Sequence, residues 1–78
     1  MKFSIGDKVI LKSKKITLHG VVLSHTDDSD SQIANIEEYL TIRTDDNKVY
    51  SFQGKDSLRP KAKSLQKCGR FHAYLEEE

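Results

Sequence analysis

Apolar residues recur at every second position over short runs of this chain, the period of a strand with one buried face. The clearest run is 38–44. There Leu40 and Ile42 fall on one side, and Tyr39, Thr41 and Arg43 on the other. Asp45-Asp46-Asn47-Lys48 has turn chemistry, and Val49-Tyr50-Ser51-Phe52 reads as the returning strand, so this region is predicted to be a hairpin. Upstream, Phe3-Ser4-Ile5 is an extended lead into a Gly6-Asp7 turn, and a strand follows over 7–12 with Val9 and Leu11 inward. Ile10 points the other way and calls for partial cover from another element. A second strand is expected over 19–25, with Gly20 marking a bend or a close backbone approach. In the connection between them, Ile16 and Leu18 are expected to fold back on the core. After a compact turn at 53–57, Leu58-Arg59 forms a very short closing strand, and Pro60, which has no amide hydrogen, ends pairing. The predicted core is Ile5, Val9, Leu11, Val21, Leu23, Leu40, Ile42 and Leu58.

Two stretches break this alternation. Residues 26–35 are acidic and polar, with almost nothing apolar to bury, and are expected to form a mobile loop. Asp27, Asp28 and Asp30 loosely match alternating calcium ligands, but the mid-loop glycine of an EF-hand is missing, so a solvated loop is the expectation. Beyond Pro60, the segment 61–68 suits a short helix that stops at Gly69. Residues 70–75 fit two periods: a strand aligns Phe71, Ala73 and Leu75, whereas a helix aligns Phe71, Tyr74 and Leu75. A helix is expected, with the terminal glutamates fraying because acids there oppose the helix dipole. The organisation is thus a β-domain over 1–60 and a basic, helical extension over 61–78 that ends in an acidic tail.

Composition narrows the class. Seventy-eight residues, 36% hydrophobic and 32% charged, make one small domain with a modest core. Cys68 is the only cysteine, so no intrachain disulfide forms, and a reducing cytoplasm is the expected compartment. The first residues carry no apolar core of a signal peptide, and no apolar run approaches the length of a membrane span.

Charge is the feature that changes the picture. The net charge of +1 hides strong segregation along the chain. Residues 1–26 carry five lysines against Asp7; residues 27–47 carry seven acids against Arg43; residues 48–72 carry seven bases against Asp56; residues 73–78 end in three glutamates. Lys12, Lys14 and Lys15 flank the first loop, and Lys61, Lys63, Lys67 and Arg70 line the C-terminal extension. If folding gathers these two blocks, they form one cationic face with Tyr74 or Phe71 beside it. Lysines track phosphates and aromatic rings stack on bases, so RNA or DNA is one expected partner.

Gly6-Asp7-Lys8-Val9-Ile10-Leu11, then Gly20-Val21-Val22-Leu23, with Val49-Tyr50-Ser51-Phe52 and Leu58-Arg59-Pro60 as closing strands, resemble SH3-like barrels of the KOW and Tudor type over about residues 3–60. The resemblance implies a mainly β fold, a small five-stranded SH3-like barrel with a short C-terminal helical extension. It also implies a module that binds RNA, DNA or protein and is not an enzyme. The chain departs from the KOW pattern in lacking a glycine-rich loop before Gly20. It departs from methyl-lysine readers in having too few aromatics for a cage.

Catalytic and metal-binding patterns are not apparent in the sequence. His19, His25 and His72 are far apart, and one cysteine does not complete a zinc site of the usual spacing, so no metal or other cofactor is expected. Arg70 and its basic neighbours would lower the pKa of a nearby thiol, but Cys68 stands in no catalytic framework. Two functions stay open at this point. One is nucleic-acid contact through the seven basic residues named above. The other is a protein-binding adaptor or inhibitor docking on a larger machine such as a polymerase or ribosome. For the second, Tyr39, Arg43 and Tyr50 are the exposed strand residues expected to make contact, since Tyr and Arg are over-represented among interface anchors.

Overall fold

The computed structural model describes residues 3–26 and 38–76. The acidic loop expected over 26–35 lies, Thr26 apart, outside the described residues, as do the last two glutamates of the tail. The elements in chain order are β1 (Lys8–Lys12), β2 (Thr17–Thr26), β3 (Glu38–Thr44), β4 (Val49–Gly54), β5 (Arg59–Pro60), α1 (Lys63–Gln66) and β6 (His72–Leu75). The strands form one antiparallel sheet in the order β5-β4-β3-β2-β1-β6, curled into a half-barrel. This architecture is broadly compatible with an SH3-like barrel.

Local chemistry explains most of the connections. Asp7 Oδ2 accepts the Ser4 amide at 2.9 Å, which fixes the turn before β1. Ser13 Oγ accepts the amides of Lys15 and Ile16 at 3.2 and 3.1 Å, so the β1–β2 turn is tight and lifts Lys14 and Lys15 into solvent. Ile16 and Leu18 pack back on the core as expected. In the β3–β4 turn Asn47 takes positive φ (65°), a conformation asparagine tolerates. After β4, the chain doubles back so closely at Gly54 that an added Cβ would lie 2.1 Å from the Ser57 carbonyl oxygen.

The core comprises Phe3, Val9, Leu11, Val22, Leu40, Ile42, Phe52, Leu58, Leu65 and Phe71. Five of the eight predicted core residues are there: Val9, Leu11, Leu40, Ile42 and Leu58. Ile5 is not; it sits in the turn with 78% of its surface exposed. Val21 and Leu23 are half-buried, and Val22 between them is fully buried. Val21 pairs with exposed Arg43 on the outer face, and Leu23 falls in a β-bulge. On β2, Val22 pairs with Ile42 and Ser24 with Thr41, so Leu23 is an extra residue opposite nothing. Before the bulge Gly20 and Val22 face inward; after it the phase flips and His25 pairs with Leu40. Gly20 makes the close approach its sequence suggests, since a Cβ there would meet the Arg43 carbonyl oxygen at 2.7 Å.

The C-terminal segment differs most from expectation. Pro60, expected to end pairing after a Leu58-Arg59 strand, is itself the last residue of β5 and pairs with Phe52 at the sheet edge, where a missing amide hydrogen costs no ladder bond. The helix is one turn, α1, anchored by buried Leu65, and the chain then bends at Gly69 (φ 81°). Residues 72–75, expected to be helical, form β6 and pair with β1 from Val9↔Leu75 to Lys12↔His72. The Glu76 amide extends this ladder to the Lys8 carbonyl at 2.9 Å. A strand wins because β1 has a second edge to fill, a demand that no local period records. The sheet therefore has six strands, and its two edges meet at one point. Leu58 and Phe71 exchange both backbone hydrogen bonds at 2.8 Å, and Phe71 stacks edge-on against Phe52, 5.3 Å between centroids.

Candidate functional site

The meeting of the two edges places charged residues from distant parts of the chain on one outer surface. Register gives the path. Tyr39 on β3 pairs with Gln53 on β4, and Gln53 pairs with Arg59 on β5. Across the seam, Leu58 and Phe71 face inward as an antiparallel bridge. The next residues outward, Arg59 and Arg70, therefore stand side by side on the exterior. One step further, His72 on β6 pairs with Lys12 on β1.

Concave surface follows the same path. A cleft of about 540 Å³ has Lys55, Arg59, Lys61 and Arg70 in its wall, together with Gln53 and Asp56. A pocket of about 330 Å³ lies between Arg59 and Arg70, completed by Pro60, Gln66 and Gly69. A third cleft, about 600 Å³, is walled by Lys12, Lys14, Arg70 and His72, with Cys68 at its side. Arg70 borders all three. At either end of the path a lysine sits on a tyrosine ring: Lys61 Nζ is 5.3 Å from the Tyr39 centroid, and Lys12 Nζ is 5.7 Å from that of Tyr74. Arg70 Nη1 donates to Ser57 Oγ at 3.0 Å. Neither Arg59 nor Arg70 has a carboxylate partner among the described residues.

Of the seven basic residues expected to act together, the fold brings Lys12, Lys14, Lys61 and Arg70 to the walls of these clefts. Lys15 at the β1–β2 turn and Lys63 and Lys67 around α1 are exposed but border none of them. Phe71, named as a stacking partner, is fully buried and belongs to the core. Tyr74, at 46% exposure, keeps that possibility. The sequence reading did not single out Arg59, Gln66 or His72. Their signal lies in strand register, and it appears only once β6 is known to be a strand.

The residues named for a protein contact do not share one face. Tyr39 and Arg43 point outward from β3. Tyr50 pairs with Ile42, lies on the inward side and packs half-buried against the core, so it is not the exposed residue expected.

The histidines are likewise separated. His19 is exposed on β2. His25 follows the bulge, and its side chain is only 2% exposed. Its Nδ1 accepts the Phe3 amide at 3.2 Å, and its Nε2 lies 2.6 Å from Glu38 Oε2. An acceptor at Nδ1 leaves the proton on Nε2, which donates to the carboxylate. The Phe3 ring closes this corner edge-on at 5.2 Å. This arrangement ties the extended lead to β2 and β3. Among the described residues no group of three or more His, Cys, Asp or Glu side chains is placed to hold a metal ion. Nor is any described helix long and apolar enough to cross a membrane.

No protein-family model matches this chain, and comparison with curated proteins and with solved structures finds no match.

Proposed function

We propose that this chain is a non-enzymatic binding module of the KOW/Tudor kind that contacts nucleic acid with the basic belt running from Lys61 through Arg59 and Arg70 to Lys12 and Lys14. One observation carries the reading: Arg59 of β5 and Arg70, which flank the Leu58–Phe71 bridge, stand side by side at the seam, without a carboxylate partner among the described residues. Like charges placed opposite each other across a sheet cost stability, and a bound polyanion removes that cost. The belt is otherwise built of lysines, whose ammonium groups donate to phosphate oxygens. The partner expected from this chemistry is RNA or DNA, bound largely through its backbone.

The test is fluorescence anisotropy with labelled single- and double-stranded oligonucleotides at two salt concentrations. Affinity is expected to fall steeply with salt, each phosphate contact adding about −0.7 to −0.9 to the logarithmic slope. Replacing Lys12 and Lys14 together with alanine is expected to weaken binding and flatten that slope while the fold persists, because both are exposed. Absence of binding to every oligonucleotide at low salt overturns the proposal.

A further inference from the structure

The belt also carries information about the form of the nucleic acid, provided the reading above holds. Tyr39, Gln53 and Arg59 occupy outward positions on the three neighbouring strands β3, β4 and β5, and Arg70 stands beside Arg59 across the Leu58–Phe71 bridge, so the path from ring to guanidinium crosses three intervals, about 14 Å. It is a single file of contacts running across the strands. At its guanidinium end, the pocket between Arg59 and Arg70 is walled by both arginines and by Gln66, residues whose donors match phosphodiester oxygens. At its other end, Tyr39 keeps 41% of its surface exposed, with the Lys61 ammonium over the ring.

A duplex does not use these features together. Its bases are stacked inside, so an aromatic ring beside a phosphate site has nothing to stack on. Readout in its major groove, about 12 Å wide, takes a helix or a β-ribbon. The only described helix, α1, is four residues long. A single strand, by contrast, exposes alternating phosphates and base faces, and a charged groove with aromatic platforms suits both. We infer that this protein binds single-stranded nucleic acid across the β3-β4-β5 surface and the adjoining seam, with one phosphodiester held between Arg59 and Arg70 and a neighbouring base stacked on Tyr39.

The experiment compares four labelled probes by anisotropy at low salt. They are a thymidine single strand of about ten nucleotides, a base-free strand of equal length, the blunt duplex of that length, and inorganic polyphosphate as a plain polyanion. The single strand is expected to bind more tightly than the other three. Tyr39→Leu is expected to weaken binding of the thymidine strand about tenfold while leaving the base-free strand unchanged, and Tyr39→Phe to restore it. Arg70→Gln is expected to weaken both strands alike and to reduce the salt slope by about 0.7. Melting temperatures of the variants keep folding separate from binding. Equal or tighter binding of the duplex or the base-free strand, or no response to Tyr39→Leu in a folded protein, overturns the single-strand assignment and leaves the phosphate-binding reading in place. No binding of any oligonucleotide removes both.

Discussion

The β3–β4 hairpin and the β5–β6 seam hold the same sheet together by opposite means. The hairpin joins neighbours in the chain through a turn of a few residues and holds six pairs in continuous register, from Glu38↔Gly54 to Arg43↔Val49. The seam joins residues 58 and 71 through one bridge and two hydrogen bonds, with the single turn of α1 between them. The hairpin exterior carries a mixed polar surface, with Thr41 and Ser51 hydroxyls 3.1 Å apart. The seam exterior gathers Arg59, Arg70 and His72. Cations are thus concentrated where the fold is least redundantly paired. Neighbouring residues serve the two faces: Phe71 closes the core, and Arg70 is exposed on the outer surface.

The first way to break this comparison is at the seam. Phe71→Ala is expected to cost about 3–5 kcal/mol in chemical denaturation, since it empties a fully buried site against Phe52. If the seam were only an appendage, the loss would be far smaller. Leu40→Ala, at the centre of the hairpin, is expected to cost about 2–5 kcal/mol. The two differ in exchange behaviour: in the native protein the amides of Leu58 and Phe71 are expected to exchange with deuterium faster than those of Leu40 and Ile42, because one bridge opens more readily than a ladder.

Next comes the corner where the lead meets the hairpin. His25→Ala leaves the Phe3 amide without its acceptor and Glu38 without its donor, an expected loss of about 1–3 kcal/mol by thermal or chemical denaturation. Arg59→Gln sharpens the contrast from the other side. It removes a like-charge neighbour of Arg70, so stability is expected to stay level or rise by about 0.2–1 kcal/mol while oligonucleotide affinity falls. A parallel loss of stability and binding would show that Arg59 supports the fold.

The smallest effect belongs to the hairpin turn. The Thr44 hydroxyl donates to Asp46 Oδ1 and holds that carboxyl below its ordinary range, with Lys48 adding to the shift. A carboxyl lowered in the folded state contributes stability that is present above its unfolded pKa, about 3.9, and is lost as pH falls through the folded value. Asp46→Asn is expected to remove a slight acid-side slope in melting temperature below about pH 4 and to leave neutral-pH binding unchanged.

What could be read from sequence follows the same division. Tyr39, Leu40, Thr41, Ile42 and Arg43 alternate around a strong turn, so the strand, its faces and its partner were all legible locally. On β2 the consecutive apolar residues Val21, Val22 and Leu23 do not fix which face is inward, and the bulge after Val22 is invisible to a strict period of two. Residues 72–75 were expected to be helical because the choice depended on the open edge of β1, some sixty residues earlier. The site was legible to a similar degree. Lys12, Lys14, Lys61 and Arg70 announced themselves as basic blocks, whereas Arg59 acquires its meaning only from the register across the seam.

Pro60 has a consequence for solubility. A sheet that ends in an exposed strand offers a template on which other chains can add strands and aggregate. Here β5 is two residues long, one of them charged and the other unable to donate an amide hydrogen. Leu58, the residue just before it, is bridged to the chain's own Phe71. The edge where strand-by-strand aggregation would otherwise begin is thereby short, cationic and already engaged, and the residue that disqualifies it as a template also lines the pocket between the two arginines.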